Sequence, residues 1–356
     1  MTPKKITSFV LKEYFFVFGL ILFVLIKIIE KNPVFIENYY HDFYFVYANS
    51  FSELVFGKLN FSFGDILYLL VPILVLTRIK KNNTRRMNLL KIGKFLFFTY
   101  LIFQIQWGLN YHRIDLYQKL SLSKTYSLAS LEEKTKKIIN NTNYLHKRLS
   151  FNDTLSVDVN YNKKFLEKET IESMKKVEFL NQPNIPKNIK NSLFSTINSY
   201  MGFSGYINPF TLEAQINKNT PMLYLPTTIS HEIAHQLGYA AENEANFVGI
   251  LSCIRSQNDF ISYCGHVQAL RYLLNELFRN NRESHKKISA ELNSGVKKNI
   301  AEASKQINMY KNPFEPSFKK FYDYFLKINN QKEGIQSYNS VVSLLINYDR
   351  LVNNFR

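Results

Sequence analysis

The chain has 356 residues, is 46% hydrophobic and 15% aromatic, and carries 45 basic against 28 acidic side chains for a formal charge of +17. This composition excludes a small disulfide scaffold and a disordered tail, and the length leaves room for roughly two structural units. Cys253 and Cys264 are too few for a Cys-rich zinc cluster. On one shared helix they would lie about 16 Å apart, beyond disulfide reach, so they read as small apolar packers.

Residues 1–110 read as a membrane domain. Phe9 to Ile29 is apolar except for Lys12, Glu13 and Lys27 near its ends. Long charged side chains snorkel from such positions, so the run reads as a first transmembrane helix. Glu30-Lys31-Asn32-Pro33 follows it, with no small-residue cleavage site, which favours an uncleaved signal anchor. A second run, Phe61 to Ile79, has Asp65 near its start and Pro72 in its middle. A third, Ile92 to Trp107, ends on a tryptophan placed like an interfacial anchor.

Between the second and third runs lie Arg78, Lys80, Lys81, Arg85, Arg86, Lys91 and Lys94, with no acid among them. The loop from Asn32 to Asn60 has Lys58 as its only basic residue among many aromatics. The positive-inside rule then places the basic loop and the N-terminus with Lys4 and Lys5 in the cytoplasm, and the aromatic loop outside. After three crossings the remainder, 111–356, is extracytoplasmic. Part of the basicity is thus a topology signal, and nucleic acid is not expected as a partner.

No later run is long and apolar enough to cross a membrane, so 111–356 is expected to fold as one water-soluble α+β domain, mostly α. Leu128 to Leu149 carries a helical apolar stripe at Leu131, Ile138 and Leu145. Leu155 to Tyr161 alternates as a strand does, and Tyr200 to Leu225 is rich in Gly, Pro, Asn and β-formers. Beyond Thr227 the pattern is helical, with breaks near Asn258, Asn281, Pro313 and Asn329.

One constellation carries chemistry: His231-Glu232-Ile233-Ala234-His235. Pro226 and Thr227 or Thr228 can start a helix there, and Gly238 can stop it in a left-handed turn. On that helix both imidazoles leave one face a turn apart and can share a metal ion, while Glu232 is rotated about 100° and is placed to take a proton from water. The N/O donors suggest zinc. In the following Glu242-Asn243-Glu244-Ala245-Asn246, Glu242 and Asn246 are i and i+4, so one helix can supply a third ligand and a hydrogen-bond partner for a ligating histidine. Glu244 is the alternative third ligand.

HEIAHQLG followed by ENEAN resembles the zincin metallopeptidases, and among them the gluzincins, whose glutamate ligand opens an ExxxD or ExxxN helix. The resemblance implies His231, His235 and Glu242 as zinc ligands, Glu232 as general base and Asn246 as a support in contact with the ligands. It also implies an edge strand ahead of the motif that pairs with an extended substrate; Ala214 to Asn217 and Met222 to Leu225 are the candidates, a core strand being the alternative for each. Here Glu242 follows His235 by only seven residues, where gluzincins usually have an intervening stretch.

Tyr263, His266 and Tyr272 are candidates for polarising a substrate carbonyl. The whole chain, through FSFGDILY from Phe61, WGLNY from Trp107, Gly205 to Pro209 and the HEIAHQLGYAAENEANF segment, also resembles an uncharacterised bacterial family, number 3810 among the domains of unknown function.

The expected function is therefore a membrane-anchored zinc metallopeptidase, a hydrolase with a peptide or protein substrate and the lipid bilayer as partners, in the bacterial cytoplasmic membrane. The alternative is a non-enzymatic envelope protein whose zincin-like domain, with a structural metal, acts as a binding module.

Overall fold

A computed structural model of the chain describes residues 3–79, 84–180, 185–187, 189–331, 334 and 338–354. It is mostly helical, with 71% helix and few strands. The chain divides into two compact units, Met1–Ile114 together with Asn208–Leu212, and Asp115–Ile207 together with Glu213–Arg356.

The first unit contains α1 (Pro3–Ile29), α2 (Pro33–Phe35), a π-helix (Ile36–Phe45), α3 (Val46–Phe56), α4 (Phe63–Arg78) and α5 (Arg85–Gln106). Of the three runs expected to cross a membrane, only Arg85–Gln106 is long and apolar enough among the described residues; Tyr14–Ile29 and Phe63–Thr77 are shorter apolar helices. Lys80, Lys81 and Asn83 of the basic loop lie outside the described residues.

α1 packs on α5 through ring contacts such as Phe23 with Phe97. Asp65 sits in the first turn of α4, where the amide dipoles favour a carboxylate, and its N–H donates to the Ser62 hydroxyl. The expected aromatic loop from Asn32 to Asn60 is helical from Pro33 to Phe56, started by Asn32, whose Oδ1 accepts from the Phe35 N–H at 3.0 Å. Within this unit the FSFGDILY segment meets Asn208 and Thr211. A Cβ on Gly64 would stand 2.4 Å from Asn208 Nδ2 and 2.7 Å from Thr211 Oγ1, so only glycine permits that approach.

The second unit opens with α6 (Leu116–Lys119), α7 (Leu128–Ser150) and α8 (Lys163–Met174). α7 matches its expected span and buries Leu131, Ile138 and Leu145. Residues 155–161 do not form the expected strand. The Asn299 side chain satisfies Val157 instead, accepting from its N–H at 2.9 Å and donating to its carbonyl at 3.1 Å, so the backbone has partners without a neighbouring strand.

The sheet has three short strands, β1 (Ile189–Asn191), β2 (Gly205–Ile207) and β3 (Ala214–Ile216), in the order β1-β3-β2, with α9 (Ser195–Met201) between the first two in sequence. β1 runs parallel to β3 and β2 antiparallel to it, with Gly205 opposite Ile216. β3 is thus central and fully buried, and β1 and β2 are the edge strands. Neither expected edge candidate is one, because 214–216 is paired on both sides and 222–225 is a turn that runs into a helix.

Seven α-helices follow among the described residues: α10 (Leu225–Gln236), α11 (Glu242–Ile254), α12 (Asp259–Asn280), α13 (Arg282–Ala290), α14 (Ser294–Asn308), α15 (Glu315–Ile328) and α16 (Tyr338–Asn354). The four expected breaks are present, and a further one separates α13 from α14 at 291–293. Asn258 and Asn281 each cap the next helix through their side-chain oxygens.

α10 packs against α11, α11 against α12, and α12 against α7. Ile233, Phe247, Phe260 and Tyr263 lie at the centre of the core. Cys253 and Cys264 sit on different helices, buried and free, and burial pushes both thiols up, Cys253 to about 12. They pack as apolar residues.

Candidate metal centre

α10 carries the HExxH residues, and its end is built to hold them. Gly238 takes φ +82°, the left-handed conformation that glycine adopts without Cβ strain. The Gly238 N–H donates to the His235 carbonyl at 2.8 Å and the Tyr239 N–H to the Ala234 carbonyl at 3.0 Å, the two bonds of a Schellman stop. This turn brings the Tyr239 carbonyl back over the helix, where it lies 2.7 Å from His235 Nδ1. A carbonyl only accepts, so His235 carries its proton on Nδ1 and Nε2 is left with a lone pair.

Four residues on, α11 begins with Glu242, its carboxylate at the positive end of the helix. Gln331 fixes that junction. Its Nε2 donates to the Ala240 carbonyl at 2.9 Å, and its Oε1 accepts from the Glu242 N–H at 3.4 Å.

His231 Nε2 stands 3.5 Å from one Glu242 oxygen and His235 Nε2 3.7 Å from the other, with the imidazole centroids 4.6 Å apart. Ligand atoms of His231, His235 and Glu242 all lie within 4.8 Å of one another. Two donors at 2.0–2.1 Å from one tetrahedral ion are about 3.3–3.4 Å apart. The two histidine–glutamate spacings are therefore within a few tenths of an ångström of what zinc requires, and the N/N/O donor set leaves a fourth position open. Burial and then the neighbouring His235 bring His231 down to about 4, against the opposing influence of Glu242 and Asn246. Burial alone would raise Glu242, but the two imidazoles and a tyrosine hydroxyl outweigh it and hold the carboxyl below its ordinary value.

Glu232 lies on the same helix and is 3% exposed. Its Oε2 is buried with no hydrogen-bond partner among the described residues, and burial, then the Glu242 charge, push its carboxyl well above the ordinary range. The edge strand runs beside it. A Cβ on Gly205 would stand 2.6 Å from Glu232 Oε1 and 2.8 Å from the Gln215 carbonyl, so glycine at this position makes room for the carboxylate.

Asn246 lies beside His231 and donates to the Glu242 carbonyl at 2.7 Å. Glu244 is turned away from the histidines and accepts from the Leu116 N–H at 2.7 Å, helping Asp115 start α6. Tyr263 and His266 are core residues: the Tyr263 hydroxyl donates to Asn299 at 3.0 Å, and His266 Nδ1 bonds the Ser262 carbonyl at 2.8 Å. Tyr272 packs against the hydrophobic core.

The tyrosine at the centre is Tyr322 on α15, whose hydroxyl donates to Glu242 Oε1 at 2.6 Å and whose ring meets Phe203 edge-on at 5.1 Å. Nothing in the spacing marks it. It follows Glu242 by 80 residues and is one of 23 tyrosines. Gly205 and Gln331 are equally hidden in the sequence.

Residues 39–346 match the family model described as protein of unknown function (DUF3810), and the chain belongs to that family. No curated protein and no solved structure matches it.

Proposed function

We propose that this chain is a membrane-anchored, zinc-dependent metallopeptidase of zincin type. The observation that carries the reading is the convergence of His231, His235 and Glu242 beside a buried glutamate whose Oε2 has no partner. Zinc bound by these three residues would supply Lewis acidity, polarising a scissile carbonyl and acidifying a water. Glu232 accepts that water's proton and passes it to the leaving amine, a task suited to a carboxyl whose proton affinity is raised by burial. Tyr322 and Gln331 hold Glu242, and Tyr239 holds the His235 tautomer.

A metal needed only for structure has no use for Glu232, and an orphaned buried carboxylate oxygen costs stability that such a site gains nothing by keeping. β2 is an edge strand beside Glu232, and an extended peptide or protein substrate laid along it would pass the carboxylate. The anchor is a multi-pass segment in the bacterial cytoplasmic membrane, formed by α1, α4 and α5. The basic residues between α4 and α5 would face the cytoplasm and the metallopeptidase domain the outside.

The test is metal content of the purified full chain and hydrolysis of a peptide library. The wild type is expected to hold one zinc per chain, His235→Ala to lose it, and hydrolysis to vanish on chelation and in Glu232→Gln. A wild-type chain that takes up no metal would end the proposal.

A further inference from the structure

The helical segment from Pro33 to Phe56 has three faces. One is packed inside its own unit: Ile36, Tyr40, His41, Phe45 and Ser52 are buried. The second is apolar and exposed. Tyr39 is 63% exposed, Phe43 71%, Tyr47 67%, Phe51 66% and Leu54 69%, continuing the line begun by Phe35. These residues recur every three or four positions. The wider turn of the π segment, where the Val46 N–H reaches back to the His41 carbonyl, helps keep the line straight. The third face is exposed and polar, with Asn38, Asp42 and Ser50 spaced four and eight residues apart.

A helix exposed only to water has no reason to divide its exposed surface into an aromatic line and a polar line, and isolated soluble domains rarely leave so long an apolar stripe uncovered. A division of this kind suits the boundary between two media. Phenylalanine and tyrosine are the residues expected there, because aromatic rings accumulate where acyl chains give way to headgroups.

The ends of the segment lead to the same partner. Three residues separate it from the apolar helix Tyr14–Ile29, and six from the apolar helix Phe63–Thr77, so both ends are fixed where apolar helices stop. No Lys or Arg occurs from Asn32 to Gly57, and Glu37 is already paired with Arg113 at 2.7 Å. Attraction to anionic lipid therefore contributes nothing here; burial of the aromatic line does.

We infer that Pro33–Phe56 is an interfacial helix lying along the bilayer surface, with Tyr39, Phe43, Tyr47, Phe51 and Leu54 sunk among the acyl chains and Asn38, Asp42 and Ser50 facing water. The inference rests on the membrane anchoring proposed above and is independent of the metal chemistry.

The experiment uses the full chain in phosphatidylcholine nanodiscs, with Cys253 and Cys264 replaced by alanine and a nitroxide placed on one cysteine at a time: Phe43→Cys, Phe51→Cys, Asp42→Cys, Ser50→Cys, and Leu96→Cys on α5 as reference. Collision rates with oxygen, which partitions into lipid, and with a water-soluble nickel chelate are compared at each position.

The inference expects oxygen to dominate at 43, 51 and 96 and the nickel chelate at 42 and 50. Labels at 43 and 51 open to nickel while 96 is shielded would overturn it and leave the anchor standing. Shielding from both reagents with spin–spin broadening between chains would overturn it in favour of a second copy on this face. A label at 96 open to nickel would remove the membrane anchor and this inference together. The same pattern in the His235→Ala chain is expected, because no metal enters the argument.

Discussion

Replacing Glu232 by glutamine tests whether this side chain is kept for chemistry at the expense of the fold. The carboxylate is 3% exposed, its Oε2 has no partner, and the charge on Glu242 lies close enough to oppose its ionisation. A buried polar atom without a partner costs about 1–3 kcal/mol. Glutamine keeps the shape and can never ionise, so the part of that cost that comes from burying a charge is removed.

For a domain of this size each kcal/mol moves the melting point by about 2–4 °C, so Glu232→Gln is expected to melt roughly 2–12 °C above wild type. The measurement is thermal unfolding of the metal-free full chain in detergent near pH 7, paired with zinc binding and peptide hydrolysis. Zinc affinity should be unchanged, because the ligands are His231, His235 and Glu242, while hydrolysis disappears. A mutant that melts lower, or one that loses zinc, would refute the reasoning. The first result would mean that the carboxylate is a structural partner, the second that it is a ligand.

Glu242→Ala should abolish zinc retention and leave α6 intact, whereas Glu244→Ala should keep zinc and lose about 1–3 kcal/mol of stability by stranding the Leu116 N–H; paired metal titration and denaturant unfolding check both. Tyr322→Phe removes the hydroxyl that holds Glu242 and should weaken zinc binding about 10–100-fold in competition with a chromophoric chelator, an unchanged affinity counting against the supporting role. Burial brings His266 down to about 4 from an ordinary 6.5, so between those values the unfolded chain binds the extra proton and the folded one does not. Stability from this residue is complete above pH 6.5 and falls as pH drops towards 4, by about 3 kcal/mol, and His266→Gln should flatten that part of the curve in urea unfolding at stepped pH.

Local patterns were legible in the sequence. The i, i+4 histidines, the glycine stop at 238 and the helix opening at Glu242 all lie within twelve residues of chain, and local backbone geometry keeps their side chains near one another. The same holds for α7, whose apolar stripe at Leu131, Ile138 and Leu145 specifies which face is buried. The asparagine caps at 258 and 281 are equally local, since each acts on its own following turn.

What the sequence could not supply depended on distant partners. The alternation at 155–161 suggested a strand, yet strands exist only in pairs, and Asn299 reached Val157 first. The sheet edge is hidden for a similar reason: 214–216 looks like any strand, and only its pairing on both sides makes it central and leaves the edges to Ile189–Asn191 and Gly205–Ile207. Tyr322 reaches Glu242 across 80 residues, and Gly205 matters because Glu232 occupies the space its side chain would fill. Helix period and capping are properties of neighbours along the chain, so composition and spacing determine them. Which strand is an edge, which tyrosine meets a carboxylate and which glycine must stay bare are properties of neighbours in space, and these only the tertiary fold decides.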